Sequence, residues 1–253
     1  MRRFASILTL LLLTLLTVPL AQSFFDELDD LKKELVTWQT THAADLSDLM
    51  NTLDDLSGPS YKDVGEGEWF TPYVASVSAW GIVSGYKDAN GNLTGEFGPG
   101  NNVTVAEILK MAMKAAKIDE TKCGLVPPLH SQAIGHWAVA FVSCAEQSQV
   151  RILDDVSIDL NRPARRAEVL AVMHDVFGDT VPPLFSNFRD TMNHPLEADI
   201  AYDYTRGIVS GDKNAQGIET GTFRPNAPIN RAETAKIIYQ RLKADVVAQT
   251  DAS

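Results

Sequence analysis

Two arginines stand where helix electrostatics disfavours a cation. In "INRAETAK", Ile229 to Lys236, Asn230 and Glu233 have the spacing of a capping box, so Asn230 is the expected N-cap and Arg231 the first helical residue. A positive side chain there opposes the helix dipole by up to about 1 kcal/mol. Arg166 of "RRAE" holds the same position ahead of Glu168. An anion at such a helix start would meet free backbone amides and a guanidinium fork that holds a carboxylate with two bonds. A structural salt bridge to a neighbouring Asp is the alternative.

Other candidates divide between chemistry and folding. Asp63 in "YKD" and Asp190 in "FRD" can accept from sugar hydroxyls, or pair with an Arg or cap a helix. Trp69 and Trp137 open helices among apolar neighbours, which reads first as core packing and second as a platform for a sugar ring. Glu107, Glu168 and Glu233 are fully accounted for as third residues of capping boxes. Asp88, Asn90 and Asn92 alternate as calcium ligands would, but the same places later in the chain hold Asn214, Gln216 and Ile218, which favours a glycine-rich turn. The five His and the Ser and Asp residues show no catalytic spacing, so neither an enzyme nor a cofactor is expected. Cys123 and Cys144 form one disulfide in an exported chain or remain free thiols, and no neighbouring ligand spacing indicates zinc.

The elements that position these residues come from an internal repeat. Trp69 to Ala116 aligns without a gap on Pro195 to Leu242, sharing "GIVSG", a Phe (97 or 223), a Pro (99 or 225) and an Ala-Glu pair. A worn copy between them keeps Trp137 and Arg166-Ala167-Glu168 but lacks seven residues after Leu153. Each copy reads as helix, loop, helix. Val103, Ala106, Leu109, Met113 and Ala116, and then Ala232, Ala235, Ile238 and Leu242, give buried stripes at helical spacing. The glycines of "VSG", Gly85 and Gly211 among them, suit a change of direction at positive φ. One copy of this size buries too little surface to be secure alone, so the copies are expected to pack together.

Ahead of them, Arg2 and Arg3 precede an apolar run ending at Ala21-Gln22-Ser23, the pattern of a secretory signal peptide over residues 1–23. Residues 24–57 carry Leu28, Leu31, Leu35 and Trp38, then Leu46, Leu49, Leu53 and Leu56. That is a heptad-like helix, serving a coiled-coil oligomer or docking on the chain's own repeats. Ser57 to Ser60 forms a hinge, and residues 244–253 read as an unstructured tail. With 22 Lys+Arg against 33 Asp+Glu the chain carries −11, and loss of the leader removes two more cations. Nucleic acid is excluded as a partner, since a phosphate backbone requires a basic face.

"FRD" at Phe188, "GHW" at Gly135, "GIVSG" twice, "RRAE" at Arg165 and "FRPNAPINRAETAK" at Phe223 together resemble the S-layer homology family. The resemblance covers copy 1 (61–118), a degenerate copy 2 (127–178) and copy 3 (184–243). It implies a mainly α fold in which three helix-loop-helix repeats pack as a pseudo-three-fold spindle. It also implies a secreted protein at the cell wall, held non-covalently by a secondary wall polysaccharide, often pyruvylated, in grooves between repeats. The family's "TRAE" Arg falls on Arg166 and Arg231, its "F-x-D" Asp on Asp63 and Asp190, its opening Trp on Trp69 and Trp137, and its loop glycines on Gly85 and Gly211. Copy 1 has Val105 for the Arg, copy 2 lacks the Asp and copy 3 has Pro195 for the Trp, so one or two working sites are expected rather than three. The reading from a different class is an envelope assembly protein that oligomerises through residues 24–57, or recruits a partner there, with the repeats as scaffold.

Overall fold

The computed structural model describes residues 61–251, so the expected leader, the heptad segment and the hinge lie outside the described residues. Of the described residues, 61–245 fall in one compact unit. In chain order the α-helices are α1 (Thr71–Ala79), α2 (Val105–Ala115), α3 (Glu120–Cys123), α4 (Val139–Gln147), α5 (Arg166–Phe177), α6 (Glu197–Thr205) and α7 (Arg231–Asp251). The described residues are mainly helical and form no sheet, only isolated bridges. The tail expected to be unstructured from Ala244 instead continues α7 to Asp251.

Each copy supplies one nine-residue helix, α1, α4 or α6, and one longer helix, α2, α5 or α7. The longer helices start as their capping residues dictate. Thr104 accepts from the Glu107 amide at 3.2 Å, and Glu107 accepts from the Thr104 amide at 2.8 Å. Asn230 and Glu233 exchange the same pair of bonds at 2.8 and 3.2 Å. In α5 only half of the box survives. Glu168 accepts from the Arg165 amide, but an Arg side chain has no acceptor to return.

The next two amides of each long helix are used by a neighbouring copy. Val105 and Ala106 donate to the carbonyls of Arg162 and Leu160, Arg166 and Ala167 to Ala227 and Pro225, and Arg231 and Ala232 to Asn101 and Pro99. One residue before each cap the three copies close a ring. The Val103 amide donates to Ile229 at 2.9 Å, the Ile229 amide to Ala164 at 3.2 Å, and the Ala164 amide to Val103 at 2.8 Å. Around this ring Ile108, Leu109, Met113, Leu170 and Ile238 are fully buried. Each such side chain contributes about 1.5–3 kcal/mol, which is how copies too small to stand alone share one core.

The glycine expectation needs correction. Positive φ falls on Gly81 and Gly207, the first glycines of the two "GIVSG" turns, whereas Gly85 and Gly211 are held by close approach. A Cβ on Gly85 would lie 2.7 Å from both the Glu96 carbonyl and the Tyr61 ring, and one on Gly211 2.5 Å from the Phe188 ring.

Copy 2 keeps its shape by substitution. Tyr61, His130 and Phe188 each accept from an amide three residues on, at 3.3, 3.0 and 3.3 Å, which puts His130 in the aromatic slot. It is fully buried with neither ring nitrogen bonded, as a core ring replacement would be. Gln132 then takes the place of Asp63 and Asp190 and donates to the Ser157 carbonyl. Cys123 and Cys144 are joined, tying α3 to α4.

Candidate functional site in the clefts between copies

Arg231 reaches out of copy 3 into copy 1. Its Nε donates to the Phe97 carbonyl at 2.8 Å, Nη2 to the Ser84 carbonyl at 2.9 Å and Nη1 to Glu107 at 3.3 Å. The guanidinium lies 4.6 Å from the Phe97 ring centre and 4.8 Å from that of Tyr86. With 4% of its surface exposed and each nitrogen already donating to protein, Arg231 has no free nitrogen to turn to a ligand. In this structure the residue pins one copy to the next, through a Glu and two carbonyls rather than an Asp.

Arg166 repeats this between copies 2 and 3, less tightly. It donates to Glu233 and to the Ser210 carbonyl, both at 3.3 Å, and stands 4.7 Å from the Phe223 ring centre. Its Nε is buried without a partner. Burial pulls this guanidinium below its ordinary pKa against the opposing charges of Glu233 and Asp212. Copy 1 has Val105 there, and the Glu it would have met, Glu168, is held instead by Arg162 of its own copy at 2.7 and 2.9 Å. The free helix-start amides proposed for an anion are also occupied, by carbonyls of the neighbouring copies.

The aspartates are structural clamps. Asp63 accepts from the amides of Phe97 and Gly98 at 2.8 and 2.7 Å, and Asp190 from those of Phe223 and Arg224 at 2.9 and 2.8 Å. Asp88 accepts from the amides of Asn90 and Asn92, and Asn214 from those of Gln216 and Ile218, so both loops are side-chain-closed turns.

What remains open to solvent are the two tryptophans. Trp69 and Trp137 are 53% and 54% exposed, against the core-packing expectation. Each carries a lysine from the preceding copy in the cyclic order. Lys236 of α7 stands 5.9 Å from the Trp69 ring centre and 6.0 Å from that of Tyr73, and Lys110 of α2 stands 5.9 Å from the Trp137 ring centre. Burial, then the charges of Lys114, Lys87 and Arg231, holds the Lys110 ammonium below its usual pKa. Burial, then Arg166 and Lys213, does the same for Lys236. Each cleft thus offers a flat aromatic face beside a partly desolvated cation, with further cations and one carboxylate, Glu107 or Glu233, around it, a setting in which an arriving anion gains more than it would in water.

Residues 60–108 and 187–235 each match the S-layer homology domain. The first S-layer homology segment supplies Trp69, Ser84, Phe97 and Glu107, and the second supplies Arg231, so the Arg231 contact joins the two. Over 79 residues, 31% of its length, this chain is 30% identical to an uncharacterized cell wall amidase of Bacillus anthracis. It spans 14% of that protein. Among the described residues no helix is long and apolar enough to cross a membrane.

At the third equivalent position copy 2 has Ala171 in place of the lysine and copy 3 has Pro195 in place of the Trp. Both line a cleft of about 710 Å³. Sequence reasoning missed Lys110 and Lys236, although their place three residues after a capping Glu in copies 1 and 3 was a signal. It also missed Arg162 and Arg165, which have no counterpart in the other copies.

Proposed function

We propose that the chain is a wall-anchoring module that holds an anionic, carboxylate-bearing polysaccharide of the cell wall in two clefts, Lys236/Trp69 and Lys110/Trp137. One observation carries this reading: the same lysine-over-tryptophan pair recurs at two equivalent places, half-exposed, where folding alone would bury the ring or leave the lysine in water. The Trp face suits the apolar side of a pyranose, and the ammonium suits an acidic substituent such as a pyruvyl ketal. Arg231 and Arg166 shape the clefts from behind, and Asp63, Asp190, Gly85 and Gly211 hold the loops that form their walls.

The test is sedimentation with purified wall, native against wall stripped of its secondary polymer. Sedimentation with native wall and its loss on stripping are expected. Equal sedimentation with both, or none with either, rejects the reading and leaves the repeats as scaffold.

A further inference from the structure

We infer that the cleft between copies 2 and 3 binds a short peptide bearing both an acidic and a basic group, with Arg165 holding its carboxylate. Arg165 occupies the N-cap of a twelve-residue helix, where copies 1 and 3 place Thr104 and Asn230. Those side chains accept a helix amide, and Arg165 cannot, so the position gives up a stabilising bond for a guanidinium. That guanidinium lines the cleft and makes no side-chain bond, while the two other arginines there are committed. Arg162 is forked onto Glu168, and Arg151 bridges Asp175 and Asp199.

The rest of the cleft matches a peptide better than a sugar. No Phe, Tyr or Trp lines it, so a pyranose finds no stacking face of the kind the Trp clefts offer. Its apolar lining includes Ile152, Ile158, Leu196 and Pro225, suited to aliphatic side chains. Asp155 and Asp159 bond their own turns through one oxygen each and leave the other for an ammonium. An unpaired cation and two half-used carboxylates in one cleft are the complement of a short zwitterionic peptide. The inference does not depend on the glycan reading of the other two clefts.

The probe is the tripeptide Ala-Glu-Lys, titrated calorimetrically into the full chain, with Arg165→Thr as the variant. Restoring the Thr cap is expected to raise Tm by about 2–4 °C, so a folding defect cannot explain a lost signal. The same change should weaken tripeptide binding about tenfold or more and leave wall sedimentation unchanged. Absence of tripeptide binding to the wild-type chain, or equal binding by Arg165→Thr, overturns the inference. A parallel loss of wall sedimentation also overturns it, because the cleft would then be a third glycan site.

Discussion

Arg231→Ala is expected to be a stability mutation before it is a binding mutation. The side chain is 4% exposed and makes bonds of 2.8, 2.9 and 3.3 Å to two carbonyls and a carboxylate of another copy. Truncation leaves the two carbonyls without this donor, and Glu107 with only its Thr104 amide, beside a cavity between Phe97 and Tyr86. Breaking a buried, hydrogen-bonded ion pair costs about 3–5 kcal/mol, and the two orphaned carbonyls place the value in the upper half of that range. Arg166→Ala removes two bonds of 3.3 Å from a side chain 13% exposed whose Nε is already unsatisfied, so about 1–2 kcal/mol is expected there. Urea denaturation of both variants, with the slope checked for two-state behaviour, gives the comparison. A cost below about 1 kcal/mol for Arg231→Ala, or full stability with lost wall binding, would refute the structural role and restore Arg231 as a ligand contact.

Buried groups and tight loops give two further perturbations. His174 is 1% exposed, and although burial pulls its pKa down, a hydrogen bond to Asp179 and the Asp203 carboxylate 3.3 Å away outweigh this and push it up to about 9. A folded pKa above the unfolded value of about 6.5 means that the imidazolium stabilises fully below pH 6.5, less as pH rises, and no longer above about 9. Unfolding stability should therefore fall by up to about 3 kcal/mol between pH 6.5 and 9.5; His174→Gln should flatten that slope, and an unchanged slope would discard the assignment. On the acid side, Asp179 is held below the usual carboxylate range, burial being outweighed by His174 and Arg241, so stability is lost again as pH falls towards its depressed value. Gly85→Ala and Gly211→Ala each drive a methyl into a ring and a carbonyl, so each is expected to cost about 1–3 kcal/mol, with thermal unfolding as the readout; a shift within about 1 °C would show that these loops yield.

The helix starts were legible in the sequence because capping is local. Asn230 with Glu233 and Thr104 with Glu107 form the bonds their spacing specifies. The destination of Arg231 was not legible, since it depends on which copy lies beside α7, a fact set by packing across more than 120 residues. The tryptophans were misjudged for a related reason. An apolar neighbourhood in sequence says which residues share a helix, whereas the exposure of Trp69 and Trp137 depends on how closely the next copy approaches. Copy 2 was readable only in part: His130 and Gln132 keep the roles of an aromatic and an Asp with different chemistry, so residue identity hides a shared geometry.

Whether lysine-capped tryptophans hold the wall polymer is tested most directly by wall sedimentation of Lys110→Gln/Lys236→Gln. Both side chains are only half-buried, so the fold is expected to persist, with circular dichroism and Tm as controls. Wall affinity should fall at least about tenfold, with each single variant losing part of that. Unchanged sedimentation by the double variant, its fold intact, would contradict this role for the two clefts.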